Sequence, residues 1–437
     1  MKPYPRYNQS SARWYSSFPE TWSEVKAKRL FSNERERACS EDEQLAASQK
    51  YGVIPQTLMM AQNNAKVMLA LKGTDNFKQV KEDDFVISLR SFEGGIEHSR
   101  YSGCISPAYT VLRLRHESSY PNYFRYALKC SPFIQALNST SEGIRDGKTI
   151  TYDEFGELFL TLPSQAEQKS IATFLDRETQ RIDSLIEEKQ NFIKLLKEKR
   201  QALISHVVTK GLNLNVEMQD SGIEWIGQVP KHWVIRRLKH TSTLQSGIAK
   251  GKDNANKETL SVPMLRVANV QDGYVKLDDV HEINVLPHEV ERYALKDGDV
   301  LMNEGGDNDK LGRGTVWKEQ IKPCIHQNHV FVIHVTDIEP EWLGWLTQSA
   351  YAKFYFFRVS KQSTNLASIS SANVKEVQLL IPPADERKII MEYLEKQTSK
   401  LKLLVQDVEQ SITLLKEHRT SLISAAVTGK IDVREVV

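Results

Sequence analysis

The sequence predicts a mixed α/β (α+β) chain of two tandem bodies, each followed by a long helix. Three observations predict it. The chain repeats itself at a nearly constant offset, and a seven-residue apolar stripe closes each repeat. The segments ahead of the stripes alternate short apolar runs with glycine-rich turns. A length of 437 residues also exceeds what one hydrophobic core usually organises.

Pro163 and Pro382 stand 219 positions apart, and at that offset Glu167 meets Glu386, Lys169 meets Lys388, Ile171 meets Ile390 and Leu175 meets Leu394 without a gap. The run LLKEKRQALISHVVT at 195–209 lies over LLKEHRTSLISAAVT at 414–428. The same offset pairs Pro121 with Pro340, Tyr123 with Trp342, Phe124 with Leu343, Tyr126 with Trp345 and Ile150 with Ile369. Cys104 meets Cys324 at 220, while Trp14, Pro19 and Trp22 meet Trp225, Pro230 and Trp233 at 211, so insertions lie between these anchors. The expected organisation is a first body at 1–160, a helix at 161–211, a connector at 212–222, a second body at 223–380, a helix at 381–429 and a tail at 430–437.

Within the bodies, DFVIS at 84–88 and DVLMN at 299–303 have the length and composition of strands. In the first helix Leu175, Ile182, Lys189, Leu196 and Leu203 recur every seven residues, with Ile171, Leu185 and Phe192 filling the alternate seam positions. The second helix repeats the stripe with Leu394, Leu401, Val408, Leu415 and Leu422, flanked by Ile390 and Leu404. Polar breaks at Glu178, Lys189 and Lys199 leave the first stripe imperfect, and mutual packing of the two helices buries both. The expected helix-pair interface is therefore Leu175, Ile182, Leu196, Leu203, Leu394, Leu401, Leu415 and Leu422. Pro163 and Pro382-Pro383 stand where a helix tolerates a missing N–H, and Gly211 and Gly429 stand where one ends.

Composition bounds the function without naming it. The chain is 40% hydrophobic and 26% charged, ordinary for a folded globular protein, and its net charge of +2 gives little global attraction for nucleic acid. Four scattered cysteines, with no CxxC pair, fit reduced thiols. The opening MKPYPRYNQS lacks the apolar run of a signal peptide, and no stretch is long enough to span a bilayer, so a cytoplasmic protein without a membrane partner is expected.

Catalytic signatures are missing from the sequence: no phosphate-binding P-loop, no GxSxG elbow, no HExxH zinc site, and no aromatic-terminated Asp/Asn-Pro-Pro tetrapeptide of DNA amino-methyltransferases. Glu386-Arg-Lys388 and Glu167-Gln-Lys169 resemble a nuclease E-x-K element, but acidic residues at a helix start are explained by the macrodipole. Cys324, His326 and His329 offer three zinc ligands, yet strand alternation turns His329 away from the other two. No metal, no cofactor and no catalytic residue are expected.

The tandem layout, EQKSIATFLDRETQRID at 167–183, LKEKRQALISHVVTKG at 196–211 and SGIEWIGQVPKHW at 221–233 together resemble the DNA specificity subunits of type I restriction-modification systems. The resemblance covers nearly the whole chain, with the bodies similar only in outline. It implies that each body is a target-recognition domain reading one half of a bipartite, gapped site in double-stranded DNA. It also implies that the long helices pack antiparallel as a spacer and dock two modification (methyltransferase) subunits, with restriction subunits joining the assembly. The chain itself is then non-catalytic. An approximate internal two-fold would match the symmetry of duplex DNA, and divergent bodies would permit an asymmetric target.

Candidate DNA contacts follow from basic and polar residues in the divergent, glycine-rich loops: Lys310 and Arg313 in NEGGDNDKLGRG at 303–314, and Lys250 and Lys252 in SGIAKGK at 246–252. In the first body they are Arg90, His98 and Arg100 around Gly94-Gly95, and Arg145 and Lys148 around Gly147. Arg145 aligns with Thr364 and Asp146 with Asn365, so Asn365 joins them. Each loop also reads as ordinary solvated surface. Two rival classes stand beside recognition: a nuclease or methyltransferase fused to recognition domains, and a coiled-coil adaptor whose bodies bind proteins.

Overall fold

A computed structural model describes residues 2–12, 14–39, 41–63, 76–87, 96–139, 150–249, 257–306, 311–362 and 367–435. The chain divides into two compact units: residues 1–189 with 409–437, and residues 190–408. Each unit thus holds one body, part of the first long helix and part of the second.

The first unit is built on a four-stranded antiparallel sheet in the order Phe31–Glu34, Thr110–Leu114, Phe85–Ile87, Ile96–His98. The second carries the corresponding sheet, Ser242–Ser246, Val330–Val335, Val300–Asn303, Gly314–Val316. Among the described residues, three short helices lie in sequence between each sheet and its long helix: Pro121–Ala127, Ser131–Ser139 and Tyr152–Gly156 in the first unit, Pro340–Thr347, Ala350–Val359 and Ser371–Lys375 in the second. A two-stranded ribbon then leads into each long helix, with Leu160 opposite Val25 in one unit and Leu380 opposite Ile235 in the other.

Packing repeats down to single atoms. Tyr123 and Trp342 are fully buried, and each donates its polar hydrogen to the same carbonyl position of the ribbon, Tyr123 Oη to Thr161 O at 3.1 Å and Trp342 Nε1 to Leu380 O at 2.9 Å. A buried ring with a polar tip needs such a partner. Around Tyr123, the rings of Phe85, Phe124 and Phe155 meet Phe31 edge-on at 5.3–5.6 Å. At the helix starts, Gln168 Nε2 donates to Pro163 O at 2.9 Å and Arg387 Nη1 to Pro382 O at 3.1 Å, the same contact made with a different side chain.

The long helices span Gln165–Lys210 and Ala384–Val427. Both end on a left-handed glycine, Gly211 at φ +76° and Gly429 at φ +71°. A Cβ on Gly211 would lie 3.2 Å from Glu386 Oε1 and 3.3 Å from Trp233, and one on Gly429 would lie 2.3 Å from Pro19 and 3.2 Å from Trp22. In the second unit the first helix therefore ends beside the start of the second, and Ile204 to Val208 share a core with Ile390 and Leu394. In the first unit the second helix ends beside the start of the first: Thr161 Oγ1 donates to Val427 O at 2.7 Å, and Leu422 to Val427 share a core with Ile171 to Ile182. The helices are antiparallel within each unit.

Of the residues expected at the helix-pair interface, Leu175, Ile182, Leu196, Leu394, Leu401 and Leu422 are buried, and Leu203 and Leu415 are half-buried against the cores. Of the alternate seam positions, Ile171 and Ile390 are fully buried as expected, and the later ones differ from the expectation. Phe192 and Leu404 are 46% and 45% exposed, whereas Thr179, Thr398 and Ile412 are buried and Ile193 and Val405, like Leu185, are half-buried. The second seam position follows the first by four residues rather than three, which is the other face a heptad allows. The expected connector also holds a strand: Met218–Asp220 pairs with Gln228–Pro230, as Tyr7–Gln9 pairs with Ser17–Pro19 in the first unit.

Candidate nucleic-acid interface

In the second unit, the flanks of the nominated loops come together. Gly305–Gly306, Ala367–Ser368 and Lys361–Gln362 form one small antiparallel sheet, so the segments on either side of Lys310 and Asn365 share a surface. Ile248, two residues before Lys250, bonds its N–H to His326 O at 3.0 Å and accepts from Asn328 N at 2.9 Å. Glu304 N donates to His329 O at 2.9 Å, and the exposed His329 ring reaches Glu304 Oε2 at 2.9 Å. Lys250, Lys252, Lys310 and Asn365 themselves lie outside the described residues, as do Arg90, Arg145 and Lys148.

The glycines of the 303–314 loop serve packing against protein. Gly312 is left-handed at φ +65°, and a Cβ there would lie 2.3 Å from the Phe356 ring; one on Gly314 would lie 2.6 Å from Thr347 Oγ1. Arg313 is half-buried and donates from Nη1 to Gln271 Oε1 at 2.9 Å. Sequence reasoning passed over Lys361 and Gln362 and weighed His329 only as a zinc ligand; all three are exposed on this surface. Their signal was position beside the divergent loops; Lys and Gln are also residue types that read base edges or meet phosphates.

In the first unit Ile96–His98 occupies the place of Gly314–Val316. His98 is buried, its Nε2 lies 2.8 Å from Asp83 Oδ1 and its ring sits 5.0 Å from Phe85. Burial pushes its pKa down, with Asp83 opposing, so it carries no standing positive charge for a phosphate. Arg100 is exposed and lines an open cleft with Lys50, Arg125 and Lys129. Lys129 pairs with the buried Glu97, and Arg125 with Asp176. Burial pushes the Glu97 carboxyl up to about 7, against the pull of Lys129. With two of those cations matched by carboxylates, the cleft offers a phosphate backbone little net attraction.

Of the three zinc-type residues, Cys324 and His326 are buried, with His326 Nδ1 2.7 Å from Val330 O, while His329 faces outward to Glu304. No group of metal-binding side chains occurs among the described residues, and no helix there is long and apolar enough to cross a membrane.

The family model "Type I restriction modification DNA specificity domain" matches residues 19–195. The EcoKI type I restriction enzyme specificity subunit of Escherichia coli K12 is 22% identical over 365 residues, covering 81% of this chain and 76% of that protein. Two solved chains share the fold. One, from a structure of complex assembly and conformational transition in the type I R-M system, has a TM-score of 0.71 at 14% identity, covering 95% of this chain and 99% of that one. The HsdS subunit of Thermoanaerobacter tengcongensis has a TM-score of 0.52 at 15% identity with the same coverage. With its tandem bodies and paired long helices, this chain is similar along most of its length to the specificity subunits of type I restriction enzymes, and its residues 19–195 match the DNA specificity domain of that family.

Proposed function

We propose that the chain reads a bipartite, gapped site in double-stranded DNA, one half-site per body, and docks modification and restriction subunits. The observation that carries this reading is that the two bodies keep one framework, down to the Tyr123 and Trp342 anchors, while the loops beside the small sheet of the second body diverge from their counterparts. The contacts assigned to the second body are Lys250, Lys252, Lys310, Arg313 and Asn365, joined by Lys361, Gln362 and His329. In the first body they are Arg90, Arg100, Arg145 and Lys148. His98 supports the strand rather than touching DNA, because it is buried against Phe85. The domain limits stand as proposed units of exchange: bodies at 1–160 and 223–380, joined by the helices. A protein with this task works where the chromosome is, in the cytoplasm.

Co-expression with the modification subunit in a host free of other methylation, followed by sequencing of modified bases, tests the reading. The expected result is one motif of two short defined halves around a fixed undefined gap. A continuous motif, or DNA binding with no salt dependence, would contradict it.

A further inference from the structure

The hairpin Val270–Val275 of the second body lies between the nominated recognition loop and the first long helix. On the loop side, Asn303 Nδ2 donates to Val270 O at 3.1 Å, Arg313 to Gln271 at 2.9 Å, and Gly273 N to Gly314 O at 3.1 Å. On the helix side, Lys353 Nζ bridges Asp272 Oδ2 at 2.6 Å and Gln201 Oε1 at 3.2 Å. Gln201 Nε2 donates to Gln348 O, and Arg200 Nη2 to Gln348 Oε1 at 2.6 Å. Ser205, one turn further along the helix, accepts from Ala350 N at 2.7 Å.

Two details show how closely the hairpin tip is fitted. Gly273 is left-handed at φ +85°, and a Cβ there would lie 2.9 Å from Gln348 Oε1 and 3.3 Å from Arg200 Nη2, so only glycine lets the turn approach this pair. Asp272 Oδ1 is buried with no partner. Burial pushes the Arg200 guanidinium pKa down, and Asp272 and Glu395 oppose that shift.

The first unit has a hairpin in the comparable place, Leu45–Ser48 paired with Gly52–Pro55 and turning at the left-handed Gly52, but it does not repeat the clamp. At the 219 offset Gln348 is replaced by Lys129, which pairs with Glu97 and donates to Gln49 O in the turn of that hairpin at 3.2 Å, and Lys353 by the apolar Ile134, which leaves no charge pair there. Arg200 is matched by Arg419, which bonds Asp183 at 2.9 Å along the helix pair. That face is an open cleft lined by Lys129, Ile134 and Arg419.

From this asymmetry we infer that Asp272, Gln201 and Lys353 are positioning residues that clamp the second body to the first long helix and so fix the distance at which its recognition loop meets DNA. The inference rests on the bipartite reading above. A charge pair braced by an amide on the helix resists sliding of the body along the helix, and each base pair of gap corresponds to roughly 3.4 Å of such displacement.

The test is methylation mapping with full-length Asp272→Ala, Lys353→Ala, Lys353→Gln and Lys353→Arg chains, each with the modification subunit, alongside thermal unfolding. Asp272→Ala and Lys353→Ala should keep both half-sites and raise methylation of sites whose gap differs by one base pair at least about tenfold, while Lys353→Arg keeps the wild-type gap. If both alanine variants unfold, Lys353→Gln decides, with the same relaxation expected. Unchanged gap selectivity in a variant with the wild-type unfolding midpoint would overturn the clamp. So would loss of methylation at every gap in such a variant, or relaxation that Lys353→Arg shows equally. A wild-type chain without a bipartite motif would tell against the recognition reading instead.

Discussion

Gly312 separates two meanings of a glycine-rich loop. If the glycines served a phosphate, an alanine would weaken DNA binding and leave folding alone. The φ of +65°, and a Phe356 ring that an added methyl would meet at 2.3 Å, require the opposite. Gly312→Ala should cost about 2–4 kcal/mol in urea unfolding, from the left-handed backbone plus overpacking against a buried ring. A stability within about 0.5 kcal/mol of wild type, on the order of a surface change, would contradict this account. Glu97 gives a pH signature. Its carboxyl is pushed up to about 7 in the folded chain, against 4.5 without the fold. The folded state therefore holds the proton more tightly, and stability falls as pH rises from about 4.5 through about 7, by at most about 1.4 kcal/mol per pH unit. Glu97→Gln should flatten that decline in a series of unfolding midpoints; a slope unchanged by the substitution would assign it to other groups.

The long helices are held together by a seam that the sequence left half resolved. The sevenfold positions were plain, but at three alternate positions two adjacent apolar residues compete: Leu185 or Ile186, Phe192 or Ile193, Leu404 or Val405. Pattern alone cannot choose between a step of three and a step of four when both neighbours are apolar, and the pairing of the helices chose four. The choice has a measurable consequence. Ile193→Asp and Leu196→Asp should each destabilise the chain by about 3–5 kcal/mol and reduce capture of the modification subunit, while Phe192→Asp, at a position 46% exposed, should change stability by less than about 1 kcal/mol. Equal losses at 192 and 193 would restore the three-residue step. Inserting seven helix-favouring residues after both Lys189 and Val408 keeps the heptad register and adds roughly 10 Å of helix. Methylation mapping should then show the same half-sites with a gap longer by about three base pairs, at roughly 3.4 Å each.

At the scale of the whole chain, the repeat carried most of what could be foreseen. Offsets of 211 and 219 mapped strand onto strand, Tyr123 onto Trp342 and each proline-led helix start onto its copy, because shared framework positions keep residue type. What the repeat could not carry is what only one half contains. Both units have a hairpin here, Leu45–Ser48 with Gly52–Pro55 in the first and Val270–Val275 in the second, but the Asp272–Lys353–Gln201 contact belongs to the second, with Ile134 at the Lys353 position in the first, so self-alignment did not mark it. The candidate surface was legible as loops but not as a gathering of loops. Pairing of Gly305–Gly306 with Ala367–Ser368 joins segments some sixty residues apart, a relation no local pattern encodes. Such a construction, one framework used twice with loops that vary, makes modular reading the account's central claim. Its most direct measurement is methylation mapping after residues 1–160 are exchanged for the first body of another specificity subunit. The account predicts a motif in which one half-site changes while the other half and the gap are retained; a motif altered in both halves would contradict it.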